Sequence, residues 1–197
     1  MNDNNDNIIE TFPTTEELEQ ELHRVKYRSK YQAVLKSTVY TLITVAAIAV
    51  LVATLWLPVL QIYGTSMTPT LQKGDIILTV KTSDLKQGDI VAFYYNNKIL
   101  VKRVIALPGE WVKIDSDGTV SVNDKVLEEP YIKEKSLGET DITYPYQVPD
   151  ERIFVMGDHR ATSVDSRNTA IGCVSQEQVV GKIIFRIWPP REIGKVK

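Results

Sequence analysis

Residues 99–105 read Ile99-Leu100-Val101-Lys102-Arg103-Val104-Ile105, a run of β-branched and apolar residues interrupted by two adjacent cations. That composition at that length reads as a strand. Side chains alternate along a strand, so Lys102 shares one face with Leu100, Val104 and Ala106, while Arg103 shares the other with Val101 and Ile105. Whichever face is buried, one cation lies on a largely apolar surface. If it is Lys102, desolvation disfavours the ammonium and lowers its pKa from about 10.4 toward the range where an amine accepts a proton, which arginine cannot do. A Lys102 on a solvated edge strand would keep its charge, and the strand alone leaves both readings open.

Outward from this strand the pattern stays β. Ile76-Ile77-Leu78-Thr79-Val80 and Ile90-Val91-Ala92-Phe93-Tyr94-Tyr95 precede it, with Gly74-Asp75, Gly88-Asp89 and Asn96-Asn97 as turn signals. Asp117-Gly118, set between Val112-Lys113-Ile114 and Val120-Ser121-Val122, predicts a hairpin. The repeated Lys73-Gly74-Asp75-Ile76-Ile77 and Gln87-Gly88-Asp89-Ile90-Val91 read as two Gly-Asp turns opening two strands rather than as a duplicated module. A helical turn is expected only near Ser175 to Val179, and Lys133 to Pro149 reads as a loop or subdomain edge. Short strands at short spacing predict a mainly β fold, a barrel-like or folded antiparallel sheet, in one domain covering residues 61–197.

Upstream the charge pattern changes abruptly. Residues 1–22 carry seven acids and no Lys or Arg, residues 23–36 carry five bases and no acid, and Ser37 to Gln72 carries no charge at all. Ser37 to Leu60 is 24 residues long, and at about 1.5 Å per residue a helix of that length covers the roughly 30 Å hydrocarbon core of a bilayer. Trp56 and Tyr63 are placed as interfacial anchors. A buried core helix would need protein on every side, and a cleaved leader would have a shorter apolar core, so residues 37–60 read as an uncleaved single-pass anchor. The basic collar before it predicts a cytoplasmic N-terminal segment, residues 1–36, with residues 61–197 outside the cell membrane. Thr14 and Glu17 have capping-box spacing and open a short amphipathic helix leading into the span; MNDNNDNIIE at residues 1–10 has the composition of a disordered segment.

The whole-chain figures average over these regions. With 197 residues, 43% hydrophobic and 24% charged, a net charge of −2 and one cysteine, the chain is neither a low-complexity chain nor a disulfide scaffold. The near-neutral balance offers no nucleic-acid footprint. His159 is the one histidine and Cys173 the one thiol on the outer side of the span, which leaves no His and Cys ligand set for a metal site. Chemistry there falls to hydroxyls, carboxylates, Lys and Arg. Gly64-Thr65-Ser66-Met67-Thr68-Pro69-Thr70-Leu71 places a serine in a Gly- and Pro-bounded turn between the span and the first strand, where backbone N–H groups are free to form an oxyanion hole. Taken alone it is equally a linker turn.

Four segments together resemble the ordered sequence boxes of bacterial type I signal peptidases: residues 64–71, Gln87 to Val91, Val101 to Glu110, and Met156-Gly157-Asp158-His159-Arg160-Ala161-Thr162-Ser163-Val164-Asp165-Ser166-Arg167. The similarity runs from the anchor through Trp188-Pro189-Pro190, and the short single anchor resembles the Gram-positive branch. The resemblance implies that Ser66 is the nucleophile, Lys102 its general base, and Ser163 the hydroxyl that orients the lysine amine. It implies a supporting ion-pair cluster of Asp158, Asp165 and Arg167, and shallow pockets lined by Ile62, Met67 and Val101 that take small side chains, although these three suit a plain core equally well. It further implies a variable insert at about residues 110–150.

The activity so implied is a membrane-bound serine endopeptidase that removes N-terminal signal peptides from translocated preproteins after small residues of the Ala-x-Ala type, without cofactor or metal. Its partners would be preprotein signal peptides, the lipid bilayer and the secretion translocon. Ser66 follows Leu60 by six residues, a connection that reaches about 20 Å when fully extended, so the nucleophile is expected near the outer bilayer surface. Two positions depart from the family pattern. His159 stands where many members have Asn and opens the alternative of a Ser-His-Asp hydrolase, and Gly64 stands where one branch has a serine oxyanion donor. A membrane-tethered, non-catalytic β binding module would need no Ser66 hydroxyl. A self-cleaving Ser-Lys regulator would need a DNA-binding domain, which the short acidic N-terminal segment does not offer.

Overall fold

A computed structural model describes residues 14–196, with residues 54–56 described in backbone only. The disorder expected of residues 1–10 and the anchoring role expected of the Trp56 side chain therefore fall outside the described parts. The chain divides into a unit ending at Leu51 and a unit beginning at Val52.

The first unit is helical. Helix α1 spans Thr15–Trp56 without a break, so the helix expected to lead into the apolar stretch is continuous with it. No Gly or Pro occurs between Thr14 and Leu57, so nothing interrupts the hydrogen-bond ladder until Pro58. The capping box is present, with the Thr14 N–H donating to Glu17 Oε2 at 3.0 Å and the Glu17 N–H to Thr14 Oγ1 at 3.4 Å. Thr38, Thr41 and Thr44 each donate their hydroxyl to the carbonyl four residues back at 2.9 Å, so these polar atoms of the apolar stretch are satisfied within the helix. Leu42, Ile43, Ile48 and Leu51 are exposed. The helix is long and apolar enough to cross a membrane.

The second unit is antiparallel β. Its strands are β1 (Val59–Gln61), β2 (Ile76–Val80), β3 (Ile90–Tyr95), β4 (Lys98–Ala106), β5 (Trp111–Ile114), β6 (Val120–Val122), β7 (Lys125–Val126), β8 (Tyr146–Gln147), β9 (Arg152–Met156), β10 (Val174–Ser175), β11 (Val179–Trp188) and β12 (Gly194–Lys195). A large sheet has the order β1-β2-β11-β3-β4-β9-β10, with β12 also on β11; a small one has the order β7-β6-β5-β8. Both Gly-Asp turns open strands as expected, with Gly74 and Gly88 at φ +98° and +90°, a region that L side chains avoid. The predicted hairpin is β5-β6, though its turn spans Asp115 to Thr119, closed by the Asp115 N–H on Thr119 O at 3.0 Å. The turn near Ser175 is a 3-10 helix over Gln176–Gln178.

Strand β4 pairs with β3 along its length and with β9 from Arg103 onward, and Lys102 is buried rather than solvated. Lys102 stands opposite Val91, while its face-mates Leu100 and Val104 pack in an apolar cluster with Val91, Phe93 and Val155. The alternation ends there. A register shift between Val104 and Ala106 sends Ala106 into the cluster of Ile105, Val112 and Phe154 between the two sheets, so Ala106 is not on the Lys102 face. A third cluster, of Ile62, Met67, Leu71, Ile77, Ile90 and Ile183, packs around the serine turn.

Candidate active site

The serine turn follows β1 and is pinned by its own hydrogen bonds, with the Thr68 N–H and hydroxyl both donating to Thr65 O at 3.1 and 2.8 Å and the Leu71 N–H to Met67 O at 2.9 Å. Distant elements hold it as well. Ser66 O accepts the His159 N–H at 3.0 Å, Thr70 O accepts Arg186 Nη2 at 2.8 Å, and the Thr70 hydroxyl donates to Asp158. Arg186 on β11 also pairs with Asp75 of the first Gly-Asp turn at 3.1 Å. Ser66 itself is half-buried, and its N–H donates to no group among the described residues.

That groove has a volume of about 600 Å³ and is walled by β1 on one side and residues 97–101 at the start of β4 on the other. Ser66, Ile62, Met67 and Val101 all line it. Ile62 and Met67 also belong to the third cluster, so the floor of the groove is the surface of the core.

Lys102 is 4% exposed, and its Nζ donates to Ser163 Oγ at 2.9 Å. Ser163 also helps to hold the Asp165 carboxylate in its charged form. With Ser163 Oγ as the acceptor, a neutral Lys102 keeps its lone pair for another proton. Burial brings the Lys102 pKa down to about 8, against the pull of Asp165 and Asp158; the Arg167 charge pushes in the same direction as burial. Burial also works against the Asp165 carboxylate, but hydrogen bonds from Arg167, the Gly157 N–H and Ser163 outweigh it and hold its pKa below the usual carboxylate value. Ser66 and Ser163 approach each other across Gly157. A Cβ there would overlap Ser163 Oγ and lie 2.5 Å from Ser66 O, so only a residue without a side chain fits.

The residues expected to form one supporting cluster form two. Arg167 grips Asp165 with Nε and Nη2 at 2.8 and 2.9 Å. Asp158 is gripped instead by Arg103, with Nε and Nη2 at 2.9 and 2.7 Å. The reason is the pleat: Arg103 leaves β4 from the face opposite Lys102 and meets the start of the 157–167 loop from the other side. Arg103 is 2% exposed, so both of the adjacent cations at 102 and 103 are buried. Its partnership with Asp158, 55 residues away in sequence, has no local signal. Among the described residues no hydrogen bond joins the His159 ring to Ser66 or to an aspartate; the ring is exposed and its Nδ1 meets the Thr162 hydroxyl at 2.5 Å.

The structure thus brings together a hydroxyl in an open groove and, on the adjoining strand, a desolvated amine held by a second hydroxyl, residue types that acyl transfer uses. Comparison with known proteins agrees. The profile of the signal peptidase family, peptidase S26, matches residues 35–188. A signal peptidase I of Bacillus amyloliquefaciens is 38% identical over 180 residues, covering 86% of this chain and 96% of its own. One from Bacillus caldolyticus is 39% identical over 162 residues, covering 73% and 87%. A crystal structure of a signal peptidase I from Enterococcus faecalis aligns over 51% of this chain and 97% of its own, at 32% identity and a TM-score of 0.43. On the family match and the near full-length relative, the chain belongs to the signal peptidase family, peptidase S26.

Proposed function

We propose that this signal-peptide-removing serine peptidase works by a Ser66-Lys102 dyad. The neutral Lys102 amine takes the Ser66 hydroxyl proton as Oγ bonds the scissile carbonyl carbon, and the oxyanion that forms is met by the Ser66 N–H. Collapse breaks the C–N bond, and the Lys102 ammonium gives its proton to the departing amine of the mature protein. Lys102 then takes a proton from water as the water oxygen bonds the acyl carbon; collapse breaks the C–Oγ bond, and Lys102 returns the proton to Ser66 Oγ as the carboxyl product leaves. Asp165 and Arg167 act through Ser163, which keeps the amine aimed.

The observation that carries this reading is the buried Lys102 Nζ on Ser163 Oγ at 2.9 Å, one residue beyond the Val101 that lines the groove with Ser66. Strand β1 has β2 on one side only and its other edge borders the groove, which suits an extended peptide added as a strand. Ile62, Met67 and Val101 then face the small side chains that precede the cleavage point. The rest of the proposal concerns topology. Residues 37–60 anchor the chain in the cell membrane with residues 1–36 in the cytoplasm, residues 61–197 form the external catalytic domain with an insert at about 110–150, and preproteins arrive from the translocon.

Cleavage of a preprotein ending its signal in Ala-x-Ala tests the dyad in detergent-solubilised protein. Ser66→Ala and Lys102→Ala should lose cleavage and His159→Ala should keep it within about twofold, since a ring outside the reacting chain contributes no proton transfer. Cleavage surviving Lys102→Ala and lost in His159→Ala would replace the dyad with a histidine base.

A further inference from the structure

The segment that follows β7 reaches back beneath the site. Glu129, with a side chain 3% exposed, receives both arms of the Arg160 fork, one of them Arg160 Nη1 on Glu129 Oε2 at 3.1 Å. The same carboxylate accepts the Tyr131 hydroxyl on Oε1 at 2.8 Å. The Tyr131 ring lies 3.8 Å from the Arg103 guanidinium carbon, a stacking that suits arginine and not lysine.

These contacts land on the two elements that carry the dyad's base. Arg103 adjoins Lys102 on β4. Arg160 lies in the loop that delivers Ser163; its Nε donates to Gly157 O at 3.1 Å, and its own carbonyl accepts Arg167 Nη2 at 2.9 Å. Arg167 Nη2 also donates to Ser163 O at 3.1 Å, and its Nη1 to Leu137 O at 2.7 Å, a second contact from the same stretch between β7 and β8. Arg103, Arg160 and Arg167 are among the largest fully buried side chains of the protein, and each touches a residue between 129 and 137. A stretch that carries neither nucleophile nor base thus touches both β4 and the loop at 157–167, the two elements from which Lys102 Nζ and Ser163 Oγ meet.

We propose that Glu129, seconded by Tyr131, is a positioning residue of the cleavage reaction, acting through Arg160 on the loop that holds Ser163 against Lys102. The proposal rests on the dyad reading above. Without the Glu129 charge, the Arg160 fork loses its anchor and the loop is free to shift. Ser163 then aims the amine less well, and water gains access to Lys102, which is otherwise faced by Asp165, Arg167 and Asp158 alone among charged groups that perturb it.

The test is steady-state cleavage of a signal-peptide substrate by the full chain in detergent, across pH, for Glu129→Gln, Tyr131→Phe and Lys102→Ala, with thermal melting alongside. Glu129→Gln should lower kcat about 10- to 100-fold, the loss typical of a misplacement near 1 Å. KM should stay within about twofold, because the groove is lined by other residues, and the acid limb of the pH profile should move upward as Lys102 regains water. Tyr131→Phe should lower kcat by about threefold with the same upward displacement, since it removes one of the hydrogen bonds on Glu129; it serves as the second reading if Glu129→Gln folds poorly. A lowered melting temperature with wild-type kcat and acid limb in both variants would make the segment structural only and overturn the proposal, as would an effect confined to KM. If Lys102→Ala keeps wild-type cleavage and pH profile, the dyad itself is at fault and the proposal falls with it; if Lys102→Ala is inactive, the Glu129 result stands on its own.

Discussion

Lys102 and Arg103 are neighbours on one strand, 4% and 2% exposed, and they leave it toward opposite faces. On the Lys102 side the amine meets a hydroxyl, which is neutral; on the Arg103 side the guanidinium meets a carboxylate in a two-point grip. Equal burial has opposite consequences. Desolvation without a direct counter-charge pushes Lys102 toward the neutral amine, whereas Arg103 keeps a charge that Asp158 neutralises in place. Asp165, whose charge favours the Lys102 ammonium, makes no ion pair with Lys102 and is gripped by Arg167 instead.

The strongest way to break this contrast is to make both positions alike. Lys102→Arg keeps the charge and most of the length but cannot lose a proton, so kcat/KM for a signal-peptide substrate should fall about 10³- to 10⁴-fold. Appreciable residual turnover would show that no base is needed at that position. On the other face, Arg103→Met leaves Asp158 buried without its counter-ion, and denaturant unfolding should show a loss of about 3–5 kcal/mol. A loss under about 1 kcal/mol would mean that Asp158 is hydrated and the two faces differ less than argued.

A thermodynamic prediction sharpens the same point. The gap between about 8 and the ordinary 10.5 for Lys102 corresponds to about 3 kcal/mol of unfavourable burial of the charged amine. Below pH 8 the ammonium is present in both folded and unfolded chains and that cost is felt in full. Between pH 8 and 10.5 the unfolded chain binds more protons than the folded one, so stability rises with pH, and above 10.5 the cost is gone. Lys102→Met should therefore be more stable than wild type at pH 7 by up to about 3 kcal/mol, with the advantage vanishing toward pH 10.5. The smallest effect is expected where the two serines meet across a missing side chain. Gly157→Ala should lower kcat about 10²-fold and lower the melting temperature as well, because its Cβ would meet both Ser163 Oγ and the Ser66 backbone oxygen.

Much of this was legible in local patterns. The apolar span follows from the absence of charge between Ser37 and Gln72, and the strand boundaries from alternation between Gly-Asp turns, because both are properties of contiguous residues. Ser66, Lys102 and Ser163 stand in short motifs whose order carries the resemblance. What stayed hidden is what depends on tertiary pairing. Nothing near Arg103 announces Asp158, nothing near Glu129 announces Arg160, and the bulge that removes Ala106 from the Lys102 face arises from how β4 meets β9. Helix α1 runs longer than its apolar core because the polar stretch before the span contains no residue that would stop it.

The measurement that bears most directly on the central claim is the titration of the Lys102 side chain itself, followed by NMR of the Ser66→Ala protein carrying isotopically labelled lysine, with Lys102→Met to assign the resonance. The buried, hydroxyl-held amine should titrate near 8, far below the other lysines. A Lys102 resonance that titrates with the surface lysines near about 10.4 would show an amine whose burial does not ease the loss of its proton, and would contradict its role as the base.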